Sequence, residues 1–488
     1  GEILILSGPD LQVLETLVFP KQYVDLSYGS FRVEEFRYFV EPSPGEANVG
    51  ETVRGFVRDL QFSVKRGFYE VPQLVEITNL TPESVIYVTT DGSEPGPRNP
   101  AATPYDGAIT ISETTVLRAA AFRDGWEPTD VDTQTYLFAD QVGGQSPSPG
   151  NFPQQWVPTL NGVQAPVSAF SHFEMNAGVL STLPLLDLAG EDFELKEALT
   201  SIPSISLALD AGVLFDPANG LHVNARQRGR AWERNVSFEV IDPVRGSDVQ
   251  TNCGLRMHGG WNRFPEMLKK SFRIYFRSEY GDSKLEYPMF PGSEVEEFDR
   301  LILRSGNGKA WASPWRALSG AGNSLERVTY LRDQIVRDFQ RATGNYAIPG
   351  TFMHLYINGH YWGLYNPVER PTEHFGAARY GGDDDEYEVI KWIRGVGHQV
   401  SAGDDVAWNR LIGLVRGNVL NAATYDAIQD LLDLENFADY IIVNHFAGNR
   451  DWIDNNVYAM RLGLSGEPFR FYCWDSEESF LSLGRSEE

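Results

Sequence analysis

Asp451, Asn456 and Asp475 are the residues whose types and spacing carry the clearest chemistry in this chain. Asp451 lies in Gly448-Asn449-Arg450-Asp451-Trp452-Ile453-Asp454-Asn455-Asn456, directly after an apolar, helix-like stretch. Asp475 follows the strand-like run Phe469-Arg470-Phe471-Tyr472-Cys473-Trp474. Phosphoryl transfer asks for this set: one carboxylate to take the proton of the attacking hydroxyl, and a carboxylate with an amide oxygen to hold Mg²⁺ on the phosphates. Asp451 and Asn456 taken singly could also cap or shape a turn. Asp475 is harder to explain that way, because an ionised carboxylate beside a buried strand needs a partner.

The segments upstream supply elements that can position such a site. Cys253-Gly254-Leu255-Arg256-Met257-His258-Gly259-Gly260 reads as a strand entering a glycine loop, and Lys269-Lys270-Ser271-Phe272-Arg273-Ile274-Tyr275-Phe276 as a strand leaving it. Such a loop with a lysine can cover and neutralise phosphates. Successive side chains of a strand point to opposite faces, so only one of Lys269 and Lys270 can do so; Lys270 is favoured, and Arg256 is a second candidate for phosphate contact. A helix is expected over Tyr330–Ala342, stopping near Gly344, and then a hairpin about the Asn358-Gly359 turn running out to Glu369. Lysine strand, helix, hairpin and then a helical lobe with an Asp-x-x-x-x-Asn loop and a later Asp is the element order of a protein kinase.

At this point a family resemblance is carried by Leu268-Lys269-Lys270-Ser271-Phe272-Arg273, Tyr330-Leu331-Arg332-Asp333, Ile357-Asn358-Gly359-His360-Tyr361-Trp362-Gly363-Leu364-Tyr365-Asn366-Pro367-Val368-Glu369, Gly448-Asn449-Arg450-Asp451-Trp452 and Trp474-Asp475. In this order they resemble the spore-coat CotH kinase family over about residues 200 to 480. The resemblance implies a divergent protein-kinase-like α+β fold that moves phosphate from ATP to serines of other proteins, with Mg²⁺ or Mn²⁺. It implies Asp451 as catalytic base, Asn456 and Asp475 as metal ligands, Lys270 or Lys269 on the phosphates, and Glu369 at the adenine-binding hinge or paired with a basic side chain. Glu477 and Glu478 read as solvated turn residues rather than additional ligands. The stretch from Ser305 to Asn323 reads as an ordered loop, a lid or a structural insert.

The remainder is modular. Residues 1–60 are β-patterned and resemble the last part of a lamin-tail domain, an immunoglobulin-like sandwich with too few strands here to close. Residues 68–138 alternate strands and turns, and Tyr87-Val88-Thr89-Thr90-Asp91-Gly92-Ser93-Glu94-Pro95 with Arg118-Ala119-Ala120-Ala121-Phe122-Arg123-Asp124-Gly125-Trp126 resembles the chitobiase/β-hexosaminidase C-terminal module, a non-catalytic β-sandwich. Residues 139–160 read as a Pro/Gly linker, and 161–488 as the kinase-like domain. The expectation is therefore multi-domain: β-sandwich modules followed by an α+β catalytic domain.

Composition sets the outer limits. A net charge of −26 without a basic stripe argues against nucleic acid or an anionic membrane as partner, and no apolar run approaches a membrane span. Cys253 and Cys473 read as isolated buried thiols rather than a bridge. No leader pattern precedes Gly1, so the reading is a mature or excised fragment of an exported bacterial protein. The rival to an ATP-dependent kinase with a protein phosphoacceptor is a non-enzymatic surface protein that keeps the fold as a scaffold and binds glycan or protein through its β modules.

Overall fold

A computed structural model describes residues 2–480, apart from residues 23–25, 33–34, 266, 268, 307–328, 418–420 and most of 148–193. The expected loop after Ser305 falls largely outside the described residues. Backbone contacts divide the chain into two units, Gly1–Phe138 and Ala139–Glu488.

The first unit is β-rich. A five-stranded sheet, with Val85–Thr89 and Thr115–Phe122 at its centre, shares its core with two short ribbons, Gln73–Val75 with Ile109–Ile111 and Gln61–Phe62 with Ile77–Thr78. The long strand Thr115–Phe122 is covered on both faces: Leu117, Ala119 and Ala121 carry no solvent exposure, and on the other face Arg118 is buried with its guanidinium on the Gly92 carbonyl at 2.7 Å. Val57 and Leu60 reach into the same core from the segment before it. Asp91 is a turn residue: its Oδ1 accepts from the Ser93 backbone N–H at 2.9 Å and from the Ser93 hydroxyl at 2.6 Å.

In the second unit seven strands close into a barrel: β1 (Ser204–Ala208), β2 (Arg234–Asp242), β3 (Ser247–His258), β4 (Ser271–Tyr275), β5 (Arg300–Arg304), β6 (Met353–Ile357) and β7 (His360–Val368). The order around the barrel is β1-β2-β3-β4-β5-β7-β6; all neighbours are antiparallel except β1 with β6. The period of two sorts each strand. Cys253, Leu255, Met257, Phe272, Ile274, Leu301 and Leu303 fill the interior, so Arg256, His258, Arg273, Ile302 and Arg304 face outward. Helix α1 (Arg332–Ala342) joins β5 to β6. Asn358 supplies the expected hairpin turn at φ 49° followed by Gly359 at 78°, the type I′ combination.

Against the outer face of the barrel lies a four-stranded antiparallel sheet of β8 (Tyr387–Ile393), β9 (Gly397–Ala402), β10 (Val457–Leu462) and β11 (Arg470–Tyr472), in the order β9-β8-β10-β11. Ile302 and Val368 of the barrel pack with Val389, Tyr458, Met460, Tyr472 and Trp474 in a shared apolar cluster. The helices α2 (Glu373–Tyr380), α3 (Val406–Arg416), α4 (Ala422–Gln429) and α5 (Leu434–Phe446) complete this part; α3 and α5 bury Trp408, Leu411 and Tyr440 with Phe469 and Phe471, and the partly buried Ile428 of α4 packs against them. Cys253 and Cys473 are buried free thiols in two different clusters, so they do not pair.

The proline-rich stretch expected as a linker is tied to the barrel where it is described. The Gln145 side chain exchanges two hydrogen bonds with the Tyr361 backbone, at 2.9 and 3.1 Å, and the Phe152 ring packs edge-on to Phe215 at 5.4 Å.

Candidate functional site

Helix α5 begins with Asp433 accepting from the Asn436 N–H at 3.0 Å and ends at Ala447, where Gly448 turns the chain at φ 57°. The loop that follows is pinned at several points. The Trp452 indole N–H donates to the Tyr440 hydroxyl at 2.7 Å. Asn449 donates to Asn444 Oδ1 at 3.0 Å and to the Ser476 hydroxyl at 3.2 Å, while its own Oδ1 accepts from the Asp451 backbone at 3.3 Å. One amide thus links the helix end, the backbone of Asp451 and the residue after Asp475.

Asp451, Asn456 and Asp475 come together at this loop. The Asn456 side-chain amide donates to Asp451 Oδ2 at 3.0 Å and, more weakly, to the Asp475 carbonyl at 3.4 Å; Asn455 adds a second donor to Asp451 Oδ2 at 2.9 Å. With its N–H groups directed this way, Asn456 has Oδ1 left as its ligand atom. Asn456 and Asp475 both adopt left-handed backbone, φ 56° and 58°, which short polar side chains tolerate; Ile453 at 80° is a β-branched residue in the same region and stores strain. Arg394 pairs with Asp451 Oδ1 at 2.9 Å and with Asp454, but its side chain is 54% exposed, so solvent screens the pair and it does not lock the carboxylate.

Asp475 follows β11, the edge strand whose free backbone groups are taken by side chains. The Gln340 amide of α1 donates to the Phe471 carbonyl at 2.7 Å and accepts from the Cys473 N–H at 2.8 Å, and Asn436 accepts from the Phe471 N–H at 2.7 Å. A buried edge strand satisfied in this way cannot slide, which fixes where Asp475 emerges.

The cation beside Asp475 is Arg304. Its Nη2 donates to Asp475 and to Glu477, the latter at 2.7 Å, its Nη1 faces Asp333 Oδ2 of α1 at 3.6 Å, and its guanidinium lies over the Trp474 ring. Asp333 also pairs with Arg337 at 3.1 Å and accepts from the Ser476 N–H at 2.7 Å. Burial pushes the Asp333 carboxyl up, but Arg304 and Arg337 beside it outweigh that and hold it below the usual aspartate range. Burial pushes Glu477 up to about 7 against the pull of Arg304, and the neighbouring Asp475 charge adds to the rise. Glu477, expected as a solvated turn residue, is a member of the cluster. A narrow recess of about 20 Å³ opens here, lined by Arg304, Tyr330, Arg332, Asp333, Asn366 and Glu477.

The other residues singled out in the sequence lie elsewhere. Lys269 and Lys270 precede β4, and the carbonyls their ammonium groups meet are not those of the Asp451–Asp475 cluster. The Lys269 ammonium donates to the Leu364 carbonyl at 2.6 Å between the Tyr330 and Tyr365 rings, and Lys270 is buried with its ammonium on the Phe264 carbonyl. Arg256 pairs with Glu233 at 2.6 Å on the outer face of β3. Glu369 follows β7 as expected but is buried and held by Arg379 at 2.6 and 3.1 Å, the basic-partner alternative rather than a hinge contact.

Arg304, Asp333 and Asn449 carry roles that sequence reasoning did not assign. The signal for Arg304 was Arg300-Leu301-Ile302-Leu303-Arg304, whose alternation sets a cation on the outward face at a strand's end.

A barrel and a helix-backed sheet that bring two carboxylates, an amide and a buried arginine to their junction define an α+β domain with a charged site at that junction. The family model for CotH kinase protein matches residues 255–488, and that for the chitobiase/beta-hexosaminidase C-terminal domain matches residues 64–133. The chain thus carries a CotH kinase domain behind a β-rich region containing a chitobiase-type domain. No curated protein matches it.

Proposed function

We propose that the second unit is an ATP-dependent protein kinase domain acting on serine hydroxyls, with Asp451 as the base. The convergence of Asp451, Asn456 and Asp475 on one loop and strand end carries this reading. A second support is the Arg304–Asp333 pair between a strand and the helix that follows it, in the place where protein kinases set a strand lysine against a helix glutamate. Arg304, rather than Lys269 or Lys270, is then the phosphate contact, and its planar fork suits two oxygens at once.

The donor set fits a hard divalent cation: the Asp475 carboxylate, 41% exposed, and Asn456 Oδ1 are oxygen ligands, and Mg²⁺ takes few protein ligands and keeps water and phosphate oxygens. Such an ion would neutralise charge on the transferred phosphoryl group. Asp451 is 30% exposed, oriented by two amide donors on Oδ2, so a hydroxyl can approach it while its geometry stays fixed. The protein phosphoacceptor, secretion and any glycan contact by the β modules belong to the same proposal. Calorimetric titration with ATP and Mg²⁺, together with transfer of labelled γ-phosphate to protein, tests it; a folded chain that neither binds nor transfers would be a scaffold instead.

A further inference from the structure

On the same outer face as Arg304, one and two strands away from it, Arg273 of β4 and Arg256 of β3 stand directly opposite each other. Like charges at paired positions on one face repel, so an arrangement of this kind needs a compensating group. Around them lies a cavity of about 240 Å³, and Arg228, Arg263, Arg370 and Lys391 complete its cationic lining. These six come from the barrel, from the loop before β2, from the turn after β3, from the segment after β7 and from β8. In a chain with net charge −26 this concentration of one sign is a local exception.

Protein groups compensate little of it. Glu233 serves Arg256, and shares itself with Arg230 and Arg277. Among the described residues no carboxylate pairs with Arg228, Arg263, Arg273, Arg370 or Lys391. Arg263 spends its terminal nitrogens on the carbonyls of Gln227 and Met257, and Arg273 donates to the Tyr275 hydroxyl at 3.1 Å and to His258 at 2.8 Å; burial first, and then the Arg273 charge, hold that imidazole well below its ordinary range. The Nε atoms of Arg256, Arg263 and Arg273 are buried with no hydrogen-bond partner. Burial, then Arg370, Arg273 and Arg228, lower the Lys391 ammonium, and burial, then Arg370, lowers Arg273. The cations therefore share one poorly screened space.

We propose that this cavity binds a small, multiply phosphorylated anion through its arginine forks, at residues separate from the Asp451–Asp475 centre. Guanidinium groups match phosphate oxygens two at a time, and a polyanion would quench the repulsion among them. The lining is unlike the apolar walls that hold a flat ring system. Two sources share this chemistry: the phosphate tail of a nucleotide, and a separate phosphorylated effector.

The test uses inorganic tripolyphosphate as probe in magnesium-free buffer, so that it does not depend on transfer activity. The expected result is a rise in the wild-type melting temperature beyond that given by sulfate at equal ionic strength. Calorimetric affinity should fall at least tenfold in Arg228→Gln/Arg370→Gln. Those two side chains make no ion pair with described residues, so the variant should fold, which its unliganded melting curve checks. Competition between tripolyphosphate and ATP would identify the nucleotide tail as the source, and undisturbed ATP binding a separate effector. Equal stabilisation by sulfate and tripolyphosphate, or unchanged affinity in the folded double variant, would overturn the proposal.

Discussion

Arg304 and Asp333 face each other across the junction of a barrel strand and helix α1, Nη1 to Oδ2 at 3.6 Å, and the same arginine continues to Asp475 and Glu477. Asp333 in turn takes the Ser476 N–H. The barrel therefore grips the end of β11 through one ion cluster, and the geometry of Asp475 is set from a strand far from it in sequence.

Asp333→Asn should destabilise the second unit by about 3–5 kcal/mol, because Arg304 and Arg337 are buried and lose their shared counter-charge. Denaturant titration reads the loss. The folded carboxyl is held below its ordinary range, so its contribution is present above the usual aspartate value and disappears as pH falls through the lowered one. The wild-type advantage over Asp333→Asn should shrink in strongly acidic buffer, and a gap independent of pH would contradict this account.

Gln340→Leu removes both hydrogen bonds to the edge of β11 while keeping an apolar side chain of similar size. The Cys473 N–H would be left buried and unpaired, at about 1–3 kcal/mol, and the Phe471 carbonyl would keep only the long bond from the Asn436 amide at 3.4 Å. Hydrogen exchange at Cys473 should accelerate relative to strands of the barrel interior. Protection at the wild-type level would show that the edge is held by other contacts.

Lys269 gives a pH signature of its own. Burial lowers its ammonium to about 7, far under the ordinary lysine range. Between that value and the unfolded one the unfolded chain binds more protons, so stability should rise with pH by up to about 1.4 kcal/mol per unit from pH 7 upward. Lys269→Met should flatten that slope. A slope unchanged in the variant would show that the charge is better solvated than its ring-lined setting implies.

Much of the site was legible because its chemistry is local in sequence: Asp451 and Asn456 share one loop, and Asp475 ends a short strand. The α1 helix and the Asn358-Gly359 hairpin were legible from spacing and turn chemistry. The cation proposed for the phosphates was not. Lys269 and Lys270 are conspicuous in sequence, but they precede the strand and spend their charges on the carbonyls of Leu364 and Phe264. Arg304 becomes visible only once β5 is known to lie beside α1, a tertiary relationship that spacing does not encode. Closure of seven strands into a barrel was hidden for the same reason, since it rests on the parallel pairing of β1 with β6, far apart in sequence.

Asn449 joins Asn444, Asp451 and Ser476 without reaching the reacting atoms. Asn449→Ala should lower kcat of phosphate transfer about 10- to 100-fold by letting Asp451 drift, with nucleotide affinity little changed. A proportional loss in nucleotide affinity would assign it a different role.

Labelled phosphate transfer from the γ position of ATP to protein, compared in wild type, Asp451→Asn and Asp475→Asn, tests the central claim most directly. The account predicts transfer by the wild type with Mg²⁺ or Mn²⁺. It predicts a fall of about 10²–10⁴-fold in Asp451→Asn with ATP binding retained, and loss of metal-dependent nucleotide binding in Asp475→Asn. Transfer at the wild-type rate by Asp451→Asn, or no nucleotide binding by the folded wild-type chain, would contradict it.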